Sequence, residues 1–211
     1  MNNQFKPLDE IREIRTIMER SSRFQALSGI AGVVVGFIAI AGAVIAYAAL
    51  GLSYDQVPYE ALNQDQYSSM QLNGTFLLLD ALVVLILSAA TGILFAVRNA
   101  RKKGLPVWDN AAKRLMINFA LPLAAGGIFC AILFYHGFFS LIAPATLIFY
   151  GMALLNGSKY SIDEIRYLGI IEIGIGLLAA FFIGYGLIFW ALGFGLVHII
   201  YGTRFYFKYE K

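Results

Sequence analysis

Four long apolar stretches dominate the chain, at residues 24–52, 72–97, 115–155 and 167–202, and polar residues gather in the gaps between them. A spanning helix needs about 20 mostly apolar residues. The first two stretches each predict one span, the second despite a single aspartate. The third is about twice too long, and Tyr135-His136-Gly137 divides it into spans at 115–135 and 138–155. As one helix, residues 167–202 would run about 54 Å, against a hydrocarbon core of about 30 Å. Gly184-Tyr185-Gly186 supplies the break, since glycine permits a turn, and gives spans at 167–183 and 187–202. The expected fold is therefore all-α, with six transmembrane helices arranged as three antiparallel hairpins. Residues 24–211 form the membrane domain.

Charge orients these spans. All 16 lysines and arginines fall within residues 6–23, 98–114, 159–166 and 204–211. The loop at 53–71 carries Asp55, Glu60 and Asp65 and no base, whereas the loop at 98–114 carries six bases. The positive-inside rule places the second loop in the cytoplasm and the first outside. Six spans then put both termini and every base on the cytoplasmic side, which an odd number would not do. Tyrosines 54, 59, 67, 135, 160, 167, 201 and 206 and Trp108 fall near the expected interfaces, while Trp190 does not.

Composition agrees. The 211-residue chain is 59% hydrophobic and 14% charged, with mean hydropathy +0.71; soluble domains run at roughly 45–50% apolar and about 25% charged. The net charge of +3 does not point to nucleic acid. The first apolar stretch is too long for a signal-peptide core and is read as a span of a protein of the cell (inner) membrane. Cys130 is the single cysteine and lies in an apolar run, so no internal disulfide forms.

Residues 1–23 form a separate element. Leu8, Ile11, Ile14 and Ile17/Met18 recur at helical spacing, and Arg15, Glu19 and Arg23 follow at i, i+4. This predicts an amphipathic helix on the cytoplasmic membrane surface, or a docking helix for a cytoplasmic protein or a second copy. Asp9-Glu10-Ile11-Arg12 recurs as Asp163-Glu164-Ile165-Arg166. Ser161 with Glu164 fits a capping box that starts a helix. Gly157-Ser158-Lys159-Tyr160 is echoed by Gly202-Thr203-Arg204-Phe205, in keeping with sequential hairpins.

Small residues mark close helix packing in lipid. Gly29, Gly32, Gly36, Ala39, Ala43 and Ala46 make one continuous face of the first span, suited to another helix of the chain or to a homo-oligomer. Gly169, Glu172, Gly176 and Ala180 form a second strip, and Ala191, Gly195, His198 and Gly202 a third.

Ionisable groups at membrane depth are costly, so Asp80, Glu172 and His198 are candidate functional residues. Glu172 and His198 each lie thirteen positions from Tyr185. Antiparallel helices would hold them at one depth, and their small-residue strips would face each other, giving direct contact or a one-water bridge. The pair reads either as a hydrogen-bonded clasp or as a proton-responsive site. Asp80 heads a face continued by Val84, Ser88 and Thr91, with no base at its depth. Pro122 frees the carbonyl of Asn118, and Pro144 that of Ser140, predicting two kinked helices.

The chain has no phosphate-binding glycine loop, no His-Glu-x-x-His, no Cys-x-x-Cys and no Ser/His/Asp set, so no enzyme, metal or cofactor is expected. The segments 167–173 and 182–202 resemble the carboxy-terminal hairpin of an uncharacterised bacterial family of six-span membrane proteins. Glu13-Ile-Arg15 and the run Met18-Glu-Arg-Ser-Ser-Arg-Phe24 resemble the same group, and there is a distant likeness to small glycine-rich acid-resistance membrane proteins. Neither likeness implies an activity. The expectation is a non-enzymatic membrane module (sensor, accessory or assembly protein); the alternative is a small proton-coupled permease using Asp80 and Glu172/His198.

Overall fold

The computed structural model describes Phe24, residues 26–50 and residues 64–211, with side chains from residue 72 onward in the second of these long segments. The proposed surface helix at 1–23 and residues 53–63 of the acidic loop expected at 53–71 lie outside the described residues, and the rest of that stretch, 64–71, is helical rather than loop. Every regular element described is helical. Helix α1 is Gly29–Leu50, α2 Gln64–Lys102, α3 Asn110–Tyr135, α4 Ile142–Ser158, α5 Glu164–Phe181 and α6 Gly186–Tyr209. Five stretches are long and apolar enough to cross a membrane; α4 reaches that length together with the 3₁₀ turn Phe139–Leu141 before it. The exception is α5, an 18-residue helix that carries Glu164, Arg166 and Glu172.

Glycine sets the turns. Gly137 has φ 78° and Gly184 φ 100°, left-handed values that other residues avoid. They follow the ends of α3 and α5. Asp109 starts α3 by accepting a hydrogen bond from the N–H of Ala112 at 2.7 Å. The capping box expected at Ser161 and Glu164 does not form. Ser161 Oγ donates instead to the carbonyl of Phe24, and the Glu164 carboxylate is taken by Lys208 and Tyr209 of α6. Pro144 does not kink α4, because the helix begins at Ile142 and the proline falls in its first turn, where no N–H is required. Pro122 does lie inside α3.

Two glycine seams organise the packing. In the first, α1 lies on α6. A methyl added at Gly202 would sit 2.6 Å from both Gly29 O and Val33 N, and one at Gly36 would sit 2.6 Å from Gly195 O. In the second, α4 lies on α5, with the Cβ position of Gly151 2.6 Å from Gly169 O and that of Gly176 2.7 Å from Ile148 Cγ1. Only glycine allows such backbone approach. The glycines of the first-span face, Gly29, Gly32 and Gly36, are thus occupied by α6 within the chain. The remaining long helices are peripheral: α2 packs on α1, and α3 on α4.

Hydrogen bonds tie the helices at the base-rich end. Asn99 of α2 donates to the carbonyls of Ala26 and Leu27. Glu210 accepts from Gly29 N at 2.7 Å and from Ser28 Oγ, so the end of α6 caps the start of α1. Phe24 N donates to Tyr160 O at 2.8 Å. Every described lysine and arginine lies near this end, on helix termini or short connections.

Candidate functional site

Glu172, at mid-length in α5, is fully buried, and His198, at mid-length in α6, is 4% exposed. His198 Nδ1 lies 3.4 Å from Glu172 Oε1. The two side chains meet, but not by the route their small-residue strips implied. Gly169 and Gly176 face α4, and Gly195 and Gly202 face α1. The polar groups meet where the two seams adjoin.

Sequence reasoning passed over two members of this site. Tyr150, in the middle of α4, places its Oη 2.8 Å from His198 Nε2. Gly193 places its carbonyl 3.0 Å from His198 Nδ1. A tyrosine deep in an apolar helix needs a partner for its hydroxyl, and that was the available signal for Tyr150. Gly193 belongs to a π-helical segment, Ala191–Val197, inside α6. Such segments occur often at functional sites, and no periodicity argument predicts them. A side chain at Gly193 would displace its neighbours, because its Cβ would lie 2.5 Å from Glu172 Oε2 and 2.6 Å from Leu147 Cδ2.

Hydrogen-bond chemistry fixes part of the protonation. The carbonyl of Gly193 can only accept, so Nδ1 of His198 carries a hydrogen. Nε2 then either accepts from the Tyr150 hydroxyl or donates to it. Both carboxylate oxygens of Glu172 are buried without a hydrogen-bond partner among the described residues. Rings close the site. Phe194 stands 5.0 Å from Tyr150 and 6.1 Å from His198 between centroids, and Phe119 meets Tyr150 edge-on at 6.0 Å.

Asp80 and Asn118 are not part of this group. Asp80 lies against α1, with the Cβ position of Gly42 3.3 Å from its Oδ2. Residues Ala39, Ala43, Val84 and Trp190 form a buried apolar cluster with Phe194 packed against it, which accounts for a tryptophan away from the interfaces. Along α1, the glycine facing Asp80 is ten residues from Gly32, which approaches the backbone of His198; at ~1.5 Å per residue that is about 15 Å. Asn118 does expose its carbonyl as Pro122 requires, and Asn156 Nδ2 of α4 donates to it at 2.8 Å. His136 caps the end of α3 and is exposed. Cys130 is a free thiol in the α3–α4 core. Among the described residues, no three His, Cys, Asp or Glu side chains cluster to hold a metal ion.

The fold defines an all-helical protein with several helices able to span a membrane. Comparison with protein-family models, characterised proteins and solved structures finds no match.

Proposed function

We propose that the chain is a non-enzymatic integral membrane module, a sensor, accessory or assembly protein of the cell membrane. In this reading all six helices cross the bilayer as three sequential hairpins, with both termini in the cytoplasm. The sixth crossing is α5. At ~1.5 Å per residue it is about 27 Å long, and it runs against α4, a spanning candidate, through Gly151, Gly169 and Gly176. The bases gathered at one end of the bundle support the orientation. Residues 1–23 are the docking element proposed for a cytoplasmic partner.

The observation that carries this reading is the enclosure of the polar site. Glu172 and His198 are sealed by Leu147, Tyr150, Phe194 and the α6 backbone. The apolar cluster around Trp190 fills the level toward Asp80. A second reading, a small proton-coupled permease, draws on the unpartnered Glu172 oxygens and the adjoining π segment. Reconstitution separates the two. Vesicles containing the chain and loaded with a pH dye should hold an imposed proton gradient as long as empty vesicles do. A gradient that collapses with the chain present, and is restored by Glu172→Gln or Asp80→Asn, removes the module reading.

A further inference from the structure

The Glu172–His198–Tyr150 group carries an inference that holds for a module and a permease alike. Its hydrogens can be counted. Nδ1 of His198 is protonated, because it faces the Gly193 carbonyl at 3.0 Å. If Nε2 is bare, it accepts from Tyr150 Oη at 2.8 Å, the ring is neutral, and Glu172 must be a carboxylic acid for the site to be uncharged. If Nε2 carries a hydrogen, it donates to Tyr150 Oη. Nδ1–H then lies between the Gly193 carbonyl and Glu172 Oε1 at 3.4 Å, and an ionised Glu172 balances the imidazolium. Both arrangements hold the same number of protons and the same net charge of zero. Removing that proton leaves one negative charge on Glu172 with the Nδ1–H of His198 3.4 Å from its Oε1, whereas adding a further one leaves a cation with no counter-charge.

The groups facing the site come from three helices: Tyr150 from α4, Glu172 from α5 and His198 from α6. Helix α1 lies on the opposite face of α6 through Gly32 and Gly36, and Tyr47 is its single titratable side chain. Helix α3 contributes Phe119. No described lysine or arginine reaches the site to take the place of the histidine.

We propose that Glu172 and His198 form one proton-binding site. Together they hold a single ionisable proton that binds and leaves as a property of the pair, with Tyr150 as the positioning residue behind the imidazole. Neither side chain then titrates alone.

The test uses the full-length chain in micelles, in a His136→Asn background so that ¹⁵N-histidine ring signals report His198 alone. Those signals and the infrared carboxyl and carboxylate bands assigned by Glu172→Gln are followed between about pH 4 and 10, a range that covers ordinary carboxyl and imidazole titration. The expected result is one transition with a common midpoint in both signals, lost from the ring signals in Glu172→Gln. Should Glu172→Gln not fold, Tyr150→Phe keeps both proton carriers, and the common midpoint should move while the two signals stay together. Separate midpoints, a ring titration indifferent to Glu172→Gln, or no transition in the range would each overturn the proposal.

Discussion

Replacing Gly202 by alanine tests whether the α1–α6 seam is a backbone contact that nothing larger can enter. The added methyl would sit 2.6 Å from Gly29 O, 2.6 Å from Val33 N and 2.9 Å from Gly32 C. Favourable contacts with carbon begin near ~3.5 Å, so the methyl is about 0.9 Å too close. All three opposing atoms are helix backbone and cannot rotate aside, so α1 and α6 must part by about that distance. Overpacking of this kind costs about 1–3 kcal/mol, and a gap of ~0.5–1 Å along the seam forfeits about a quarter to a half of its dispersion contacts as well. Gly127 of α3 is the internal control, with nothing within 4 Å of its Cβ position. Alanine there should be neutral or stabilising by up to about 1 kcal/mol, through helix propensity. Gly32, whose nearest opposing atom is Gly202 Cα at 3.1 Å, should fall between them. Equilibrium unfolding in mixed micelles, with increasing dodecyl sulfate and helix content as the signal, should rank stability as Gly127→Ala, then Gly32→Ala, then Gly202→Ala, the extremes differing by about 1–4 kcal/mol. Equal stability of Gly202→Ala and Gly127→Ala would refute the seam as a close backbone contact.

The same unfolding assay reads three further expectations. Gly193→Ala pushes a methyl against Glu172 Oε2 and Leu147 Cδ2 and should cost about 1–3 kcal/mol; combined with Glu172→Ala the two losses should be less than additive, since the smaller side chain vacates the space. Asn156→Leu strips the Asn118 carbonyl of its donor and should cost about 1–3 kcal/mol, part of which Pro122→Ala should recover by restoring a backbone N–H in α3. Burial raises the Glu164 carboxyl, but hydrogen bonds from Lys208, Tyr209 and its own backbone outweigh it and hold it below its ordinary value of 4.5. Its contribution is therefore complete above about pH 4.5 and lost as pH falls through the lower folded value, so Glu164→Gln should flatten the acid limb of a stability-against-pH curve there, less so in high salt.

Much of the fold was legible because lipid imposes few solutions. Apolar length located the helices, and glycines at 137 and 184 marked breaks that the left-handed backbone there requires. Equal spacing about Tyr185 anticipated the meeting of Glu172 with His198. The face assignment failed because a strip of small residues says that a helix is approached closely, not by which neighbour. Gly169 and Gly176 serve α4, and Gly195 and Gly202 serve α1. The strip Ala191–Gly195–His198–Gly202 also follows a 3.6-residue period through a segment that is partly π-helical, where the faces rotate. Its place in an apolar helix says that the Tyr150 hydroxyl needs a partner, but that partner is 48 residues away and nothing local to α4 identifies it.

The position of the polar site follows from what each seam can and cannot hold. Close backbone contact joins α1 to α6 and α4 to α5. Between the pairs the links at mid-length are made by side chains: Leu147, Ile175 and Ala179 pack against Phe189, Phe194 and Val197, and beside them Tyr150 meets His198 and Glu172 meets His198 and Gly193. Nearer the base-rich end, Lys208 and Tyr209 hold Glu164. The junction is therefore the part of the bundle held by side chains, polar and apolar, where the two seams are held by backbone contact. It also adjoins the one π-helical segment described, which lies on the α6 side of that junction. A change in the charge or hydrogen bonding of Glu172 and His198 therefore acts where the two backbone-packed pairs are joined by side chains. Asp80 lies outside that junction, on the α1–α2 contact, where it faces Gly42.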